Sequence, residues 1–242
     1  AAALASYAEL IVERDVPEAG LGVRNPRQMG AWLWAIAAAT STTTAWETLR
    51  DAANPGRADP PARSTTKPWT DALARTWVYD PIPPWQPGFA HLRQLAASPK
   101  HHLVDPALAC ALLNLDVEDL LEGRDPTPAL PRDGAFLGGL FESLAALSVR
   151  VFAQAAGARV GHLRRRGGDH EIDMVVYGPG RHRVAIEVKL AAAVTDHDVR
   201  HLLWLRSLLG DELADTAILT TSRDAYRRRD GVAVVPLALL GP

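Results

Sequence analysis

Cysteine is nearly absent from this 242-residue chain, with Cys110 the only one. An internal disulfide is therefore excluded, which suits a reducing cytoplasm. Cys110 itself, set in the apolar run ALACALL, reads as a small core residue and not as a nucleophile. Also missing is any uninterrupted apolar stretch of the roughly 20 residues that a membrane helix needs, so no membrane partner is expected. The opening AAALASYAEL has neither a basic segment nor a cleavage-site pattern, and a secretory signal is not expected there. The first residue is Ala and not Met, as in a trimmed chain or a fragment. Charge of one sign is lacking too: the formal net charge is −2. There is no internal repeat, no long low-complexity tract and no Gly-x-x-x-x-Gly-Lys-Ser/Thr phosphate loop, so ATP hydrolysis is not expected from this chain alone.

Hydrophobic residues at 48% and charged residues at 22% describe a packed protein with one large domain or two of ordinary size. The near-neutral total hides two basic runs, Arg164-Arg165-Arg166 and Arg227-Arg228-Arg229. Local clusters govern polyanion binding more than net charge does, although either run alone equally describes a solvated loop. Three prolines and two glycines interrupt the hydrophobic pattern in GRDPTPALPRDG, Gly123 to Gly134. That marks a boundary between domains at 1–124 and 134–242. A second irregular stretch, Asn54 to Pro68, reads as a loop within the first domain.

The first domain reads as mostly helical. Asn25-Pro26 is a helix start, because Asn caps and Pro is tolerated at the first helical position. Gly30 to Ala39 is apolar nearly all round and is expected to be a buried helix. Thr44 to Ala53 and Trp69 to Trp77 are further short helices, the last with Leu73 and Trp77 four apart on one face. Extended segments follow at Val78 to Ile82 and His101 to Val104. This order suggests a winged helix-turn-helix, or a plain helical packing domain.

The second domain changes character. Ala135 to Ala156 is a helix with Leu137, Leu140, Phe141, Leu144 and Leu147 spaced three and four apart. Strands are expected at Ala158 to Leu163, Glu171 to Tyr177 and Arg183 to Leu190. A helix follows at Asp196 to Leu209, then strands at Ala217 to Thr221 and Val232 to Val235. The order implies an α/β fold around a mixed sheet.

Two of those strands carry polar residues in register with their alternation. Val184, Ile186 and Val188 share one face and Glu187 and Lys189 the other; Ile172, Met174 and Val176 share one face and Glu171 and Asp173 the other. A hairpin through Gly178-Pro179-Gly180 lets Asp173 and Glu187 approach across the ladder. Paired carboxylates repel unless a cation lies between them. Hard ions such as Mg²⁺ take one or two carboxylates plus water and phosphate oxygens, and a nearby lysine can orient a water or stabilise phosphate charge. Glu142, on the preceding helix, is a third acid in reach of such a centre. By pattern alone, Glu-x-Lys on a strand also describes a solvated face with a salt-bridge partner.

Gly168-Asp169-His170-Glu171-Ile172-Asp173 followed by Ile186-Glu187-Val188-Lys189 resembles the motifs of the PD-(D/E)xK nuclease superfamily, with Glu142 in Phe141-Glu142-Ser143-Leu144 matching its helical acid. Ile172 stands where the family's name has Pro. The resemblance implies a restriction-endonuclease-like domain. Glu142, Asp173, Glu187 and Lys189 become its catalytic residues, and Asp173, Glu187 and Glu142 its ligands to Mg²⁺ or Mn²⁺. Over most of its length the chain is also similar to the C-terminal part of a bacterial and archaeal class of AAA-type ATPases. The similar segments are Tyr7 to Val16, Pro83-Pro84-Trp85, Ser98-Pro99-Lys100 with Val104-Asp105, and the two acidic strands. That resemblance implies a winged-helix-like linker before the nuclease-like domain, and an ATPase motor as partner in a longer protein.

Other residues read more plainly. His101 and His102 are adjacent and face opposite ways on a strand, as surface or packing residues. His197 and His201 share a helix face, a geometry compatible with a metal, but lack the intervening Glu of the zincin pattern and are expected to line a cleft. Trp32, Trp34 and Trp204 lie in apolar surroundings and suit core packing. The expected function is a cytoplasmic, metal-dependent phosphodiesterase module acting on DNA, with Arg164, Arg165, Arg166, Arg227, Arg228 and Arg229 on backbone phosphates. The alternative is a non-catalytic nucleic-acid- or protein-binding module with the same fold.

Overall fold

The computed structural model describes residues 2–54, 60–85, 98–123, 135–165, 167–180 and 182–241. By packing, the chain divides into two compact units. One comprises Ala1–Pro81 with Lys100–Ser143, the other Ile82–Pro99 with Leu144–Pro242. The proline-rich segment expected to separate two domains lies, at 124–134, outside the described residues.

The first unit is helical. Helix α1 (Ala2–Leu10) runs through a wider π-type turn (Ile11–Asp15) into the short α2 (Val16–Glu18). Helix α3 (Pro26–Ala38) starts as the sequence indicates: Asn25 accepts the N–H of Gln28 at 3.1 Å and Pro26 fills the first position. Its Met29, Trp32, Leu33 and Ala35 to Ala38 are all buried, and a fully buried Leu or Met contributes about 1.5–3 kcal/mol. Around it pack α4 (Trp46–Ala52), α5 (Arg63–Arg75), α6 (Pro106–Leu113) and α7 (Val117–Leu121), together with Phe136 and Leu140 from the first turns of α8 (Phe136–Ala155).

Two expectations for this unit change. Helix α5 begins inside the stretch read as a loop and carries Pro68 in its interior. Pro68 forfeits one backbone hydrogen bond, but Thr66, Trp69, Ala72 and Leu73 still form one buried stripe. Trp77 does not share that stripe. The helix ends at Arg75, Trp77 takes a left-handed φ of 60°, and its side chain is 70% exposed. The two extended segments meet at the Tyr79–Leu103 bridge, with Asp80 N–H to His102 O at 2.9 Å and Val104 N–H to Val78 O at 3.1 Å. His101 and His102 are both buried, so neither is a surface residue.

The second unit is α/β around one mixed sheet of strand order β1-β2-β3-β4-β6-β5. Strands β1 (Arg159–Arg164), β2 (Glu171–Tyr177) and β3 (Arg183–Val188) form an antiparallel meander. Helix α9 (Asp196–Leu209) crosses from β3 to the parallel β4 (Leu213–Thr220). Then β6 (Ala233–Pro236) adds parallel to β4, and the two-residue β5 (Tyr226–Arg227) closes the edge antiparallel to β6. Helix α9 starts at a capping box in which Thr195 and Asp198 satisfy each other's orphan groups. It buries Val199, Leu202, Leu205 and Leu209 against Val175, Ala185, Ile218 and Val234.

The far edge is covered by residues 83–85. His162 donates its N–H to Pro83 O at 2.9 Å and accepts that of Trp85 at 2.7 Å, which removes the open ladder that an edge strand would expose. Gly161 makes this approach possible, since a Cβ there would lie 2.8 Å from the Trp85 Cβ.

Helix α8 meets the length and composition of a membrane-crossing helix. Its Phe136 and Leu140 lie in the first core, Ala145, Ala146, Val149 and Ala153 are buried as well, and Glu142 is ion-paired.

Candidate functional site

Asp173 and Glu187 lie at the same end of the β2–β3 ladder. The antiparallel register runs to Met174 against Ile186, and Asp173 and Glu187 are the next residue of each strand. Both side chains are almost inaccessible, at 8% and 5% exposure. The β1–β2 ladder slips here: Gly161 pairs with Val175 and Leu163 with Ile172, so that Asp173 and Met174 of β2 stand against His162 alone of β1. Such a bulge re-aims a side chain. It brings Ile172 into the same apolar core as Val175, so Ile172 does not share the face of Met174 as strict alternation predicts. Asp173 uses the departure from the ladder. Its Oδ2 accepts the N–H of Val188 at 2.9 Å, where a backbone carbonyl of β2 would otherwise sit.

The sheet face that carries Glu187 is the α9 face. Glu187 stands beside Ile218 in the parallel ladder, and Ile218 and Ala185 both pack against α9. Glu187 therefore lies on a covered face, not on one opposed to the core as the alternation suggested. The other face is apolar too, with Met174, Ile186 and Val188 all buried. Lys189 continues the parallel ladder, its N–H on Leu219 O at 2.8 Å, and is half-buried. Its charge acts on both Asp198 and His201 of α9. Glu187 and Lys189 thus emerge at the carboxyl end of β3, where open α/β sheets place their ligands. Asp173 lies at the neighbouring beginning of β2.

The loop before β2 and helix α9 bring His170 and Trp204 to this end of the sheet, where Trp204 packs against the core as expected and meets His170 in a contact that the sequence pattern does not show. The His170 ring lies flat on Trp204, with centroids 3.9 Å apart and planes 5° apart, and its Nδ1 is 3.2 Å from the Nδ1 of His201. Burial first, then the charges of Arg200, His170 and Lys189, hold His201 down to about 4 against the pull of Glu171. Asp198 is lowered despite burial, which acts the other way, because Thr195 donates to it from both its N–H and its hydroxyl.

Glu142 belongs to the first unit. There the ammonium of Lys100, only 1% exposed, donates to its Oε1 at 2.8 Å. Among the described residues, no three His, Cys, Asp or Glu side chains are already grouped to hold a metal ion. Asp173 and Glu187 still fit a hard divalent ion: they are two adjacent buried carboxylates, and Mg²⁺ takes one or two carboxylates and fills its remaining positions with water or phosphate oxygens.

The arginine runs are mostly engaged within the protein. Arg164 pairs with Glu171 and Arg165 with Asp169; Arg227 makes a two-pronged pair with Asp215; Arg228 holds Asp196 and Asp230. Arg229 is exposed, and Arg166 lies outside the described residues.

Residues 137–240 match the model of a domain of unknown function, DUF4143, and residues 1–119 match that of a second domain of unknown function, DUF8612. No curated protein and no solved structure matches the chain.

Proposed function

We propose that the second unit is a restriction-endonuclease-like module that holds Mg²⁺ or Mn²⁺ on Asp173 and Glu187 and hydrolyses phosphodiester bonds, with DNA as the substrate. The observation behind this reading is that two buried carboxylates stand at one end of the β2–β3 ladder, with Lys189 two residues beyond Glu187. Asp173, oriented by the Val188 N–H, and Glu187 would hold the ion, which when bound would supply the positive charge for polarising a phosphate and activating a water. Lys189 donates hydrogen bonds to the attacking water or to a phosphate oxygen as negative charge builds there. The water oxygen bonds to phosphorus, the bond from phosphorus to the leaving sugar oxygen breaks, and that oxygen takes up a proton. Glu142, the third acid implied by resemblance, is held by Lys100 in the first unit and is given no step here.

In the same reading the first unit is winged-helix-like, Arg229 and the less tightly paired arginines contact phosphates, and the whole acts in the cytoplasm beside an ATPase motor. A second reading is a non-catalytic binding or regulatory module. It is favoured by the structural task that Asp173 already performs in capping Val188.

Cleavage of labelled single-stranded, duplex and branched DNA with Mg²⁺ or Mn²⁺ separates the two. Catalysis is expected to fall by about 10²-fold or more in Glu187→Ala and in Lys189→Ala. DNA binding that needs no divalent ion, with no cleavage, would establish the second reading; cleavage that survives both substitutions would sink the first.

A further inference from the structure

Two imidazoles meet at the start of β2, a third stands on the helix beside them, and the proposed phosphodiesterase site uses none of them. His170 ends the loop before β2, while His197 and His201 stand four residues apart on one face of α9. The Nδ1 atoms of His170 and His201 are 3.2 Å apart, with ring planes at 90°. Two nitrogens bound to a tetrahedral Zn²⁺ at ~2.0–2.1 Å lie about 3.3 Å from each other. The pair is therefore already spaced as two ligands of one ion.

Further features favour a cation there. The His170 ring is fixed in orientation by its stack on Trp204, so ordering costs little on binding. His197 is exposed, with its ring nitrogens against the Arg200 guanidinium, and lies one helical turn before His201. Glu171 and Asp198 offset the positive charges of Arg200 and Lys189 nearby.

We propose that His170 and His201, completed by His197 and water, form a binding site for a borderline transition-metal ion, Zn²⁺, Cu²⁺ or Ni²⁺. Imidazole nitrogen selects such ions, whereas the carboxylate oxygens of Asp173 and Glu187 select Mg²⁺ or Mn²⁺. The two sites are chemically distinct, and this one holds whether or not the chain cleaves DNA. A metal bound there ties the entrance of β2 to α9.

Titration calorimetry of the full chain with Zn²⁺, in excess Mg²⁺, tests the site. One Zn²⁺ per chain is expected, with affinity lowered about tenfold or more in His170→Ala and in His201→Ala, and by less in His197→Ala. Glu187→Gln is expected to leave Zn²⁺ affinity unchanged. Cu²⁺ quenching of tryptophan fluorescence gives a readout that needs no histidine variant: the ion would sit beside Trp204, so the quenched fraction should shrink in Trp204→Phe. No Zn²⁺ binding by the parent chain, binding that survives loss of both His170 and His201, or binding abolished by Glu187→Gln would each overturn the site. Equal quenching in Trp204→Phe would do the same.

Discussion

The Asp173 carboxylate closes a backbone ladder and is also the proposed metal ligand, and two substitutions separate these roles. Asparagine keeps an oxygen that can accept the Val188 N–H, so Asp173→Asn is expected to fold with nearly the parent stability while losing affinity for Mg²⁺ or Mn²⁺. Alanine leaves a buried N–H without that partner, and Asp173→Ala is expected to cost about 1–3 kcal/mol in urea unfolding as well. Equal stabilities for the two variants would show that the hydrogen bond carries no weight. His101 offers a pH-dependent counterpart. It is fully buried, bonded to the Tyr79 hydroxyl at 2.7 Å and to Thr44 O at 2.9 Å, and burial lowers it to about 4. The unfolded chain binds a proton near pH 6.5 that the folded chain refuses until about pH 4. Stability from this group is therefore present above pH 6.5 and is lost as the pH falls through that window, by up to about 3 kcal/mol. His101→Gln is expected to flatten the slope between pH 6.5 and 5, above the range of ordinary carboxylates.

Elements were legible where their periodicity was long and local. Helix α9 spans the residues its pattern predicts, and β2 does too, because capping at Thr195 and the alternating run Glu171 to Tyr177 are properties of adjacent residues. The two-residue β5 is too short to carry a period. The bulge in β2 is also invisible locally, since it exists only in the pairing with β1. For the candidate site this meant that Asp173, Glu187 and Lys189 could be found from alternation, whereas the Lys100–Glu142 pair and the His170–Trp204 stack join residues far apart in the chain. The cover over β1 is of the same long-range kind, and Gly161 exposes it to test. Gly161→Ala is expected to push residues 83–85 off the edge strand and to cost about 1–3 kcal/mol. A neutral result in thermal unfolding would mean that the 2.8 Å approach relaxes freely.

At the scale of the whole molecule, the second unit takes in residues that precede the proline-rich segment. Trp85 lies in its core and Pro83 on its edge strand, so a fragment of residues 134–242 lacks both. That fragment is expected to be markedly less stable than the full chain, and restoring residues 82–99 as a separate peptide should recover part of the difference in circular-dichroism melts. Charge is distributed with similar economy. With Arg164, Arg165, Arg227 and Arg228 in internal ion pairs, DNA affinity is expected to depend weakly on salt. A log–log slope of magnitude below about 3 would fit, against roughly 5 for six free phosphate contacts.

The alternation of the two units along the chain also sets an order of events during synthesis. Residues 83–85 leave the ribosome before the strand they cover, and the first unit needs residues 100–143, which follow them. The first unit can therefore close while translation continues, but Trp85 must wait for Gly161 and His162 to emerge. During that interval an apolar segment of the second unit stands without its partner strand, and it is there that a nascent-chain chaperone would find its substrate.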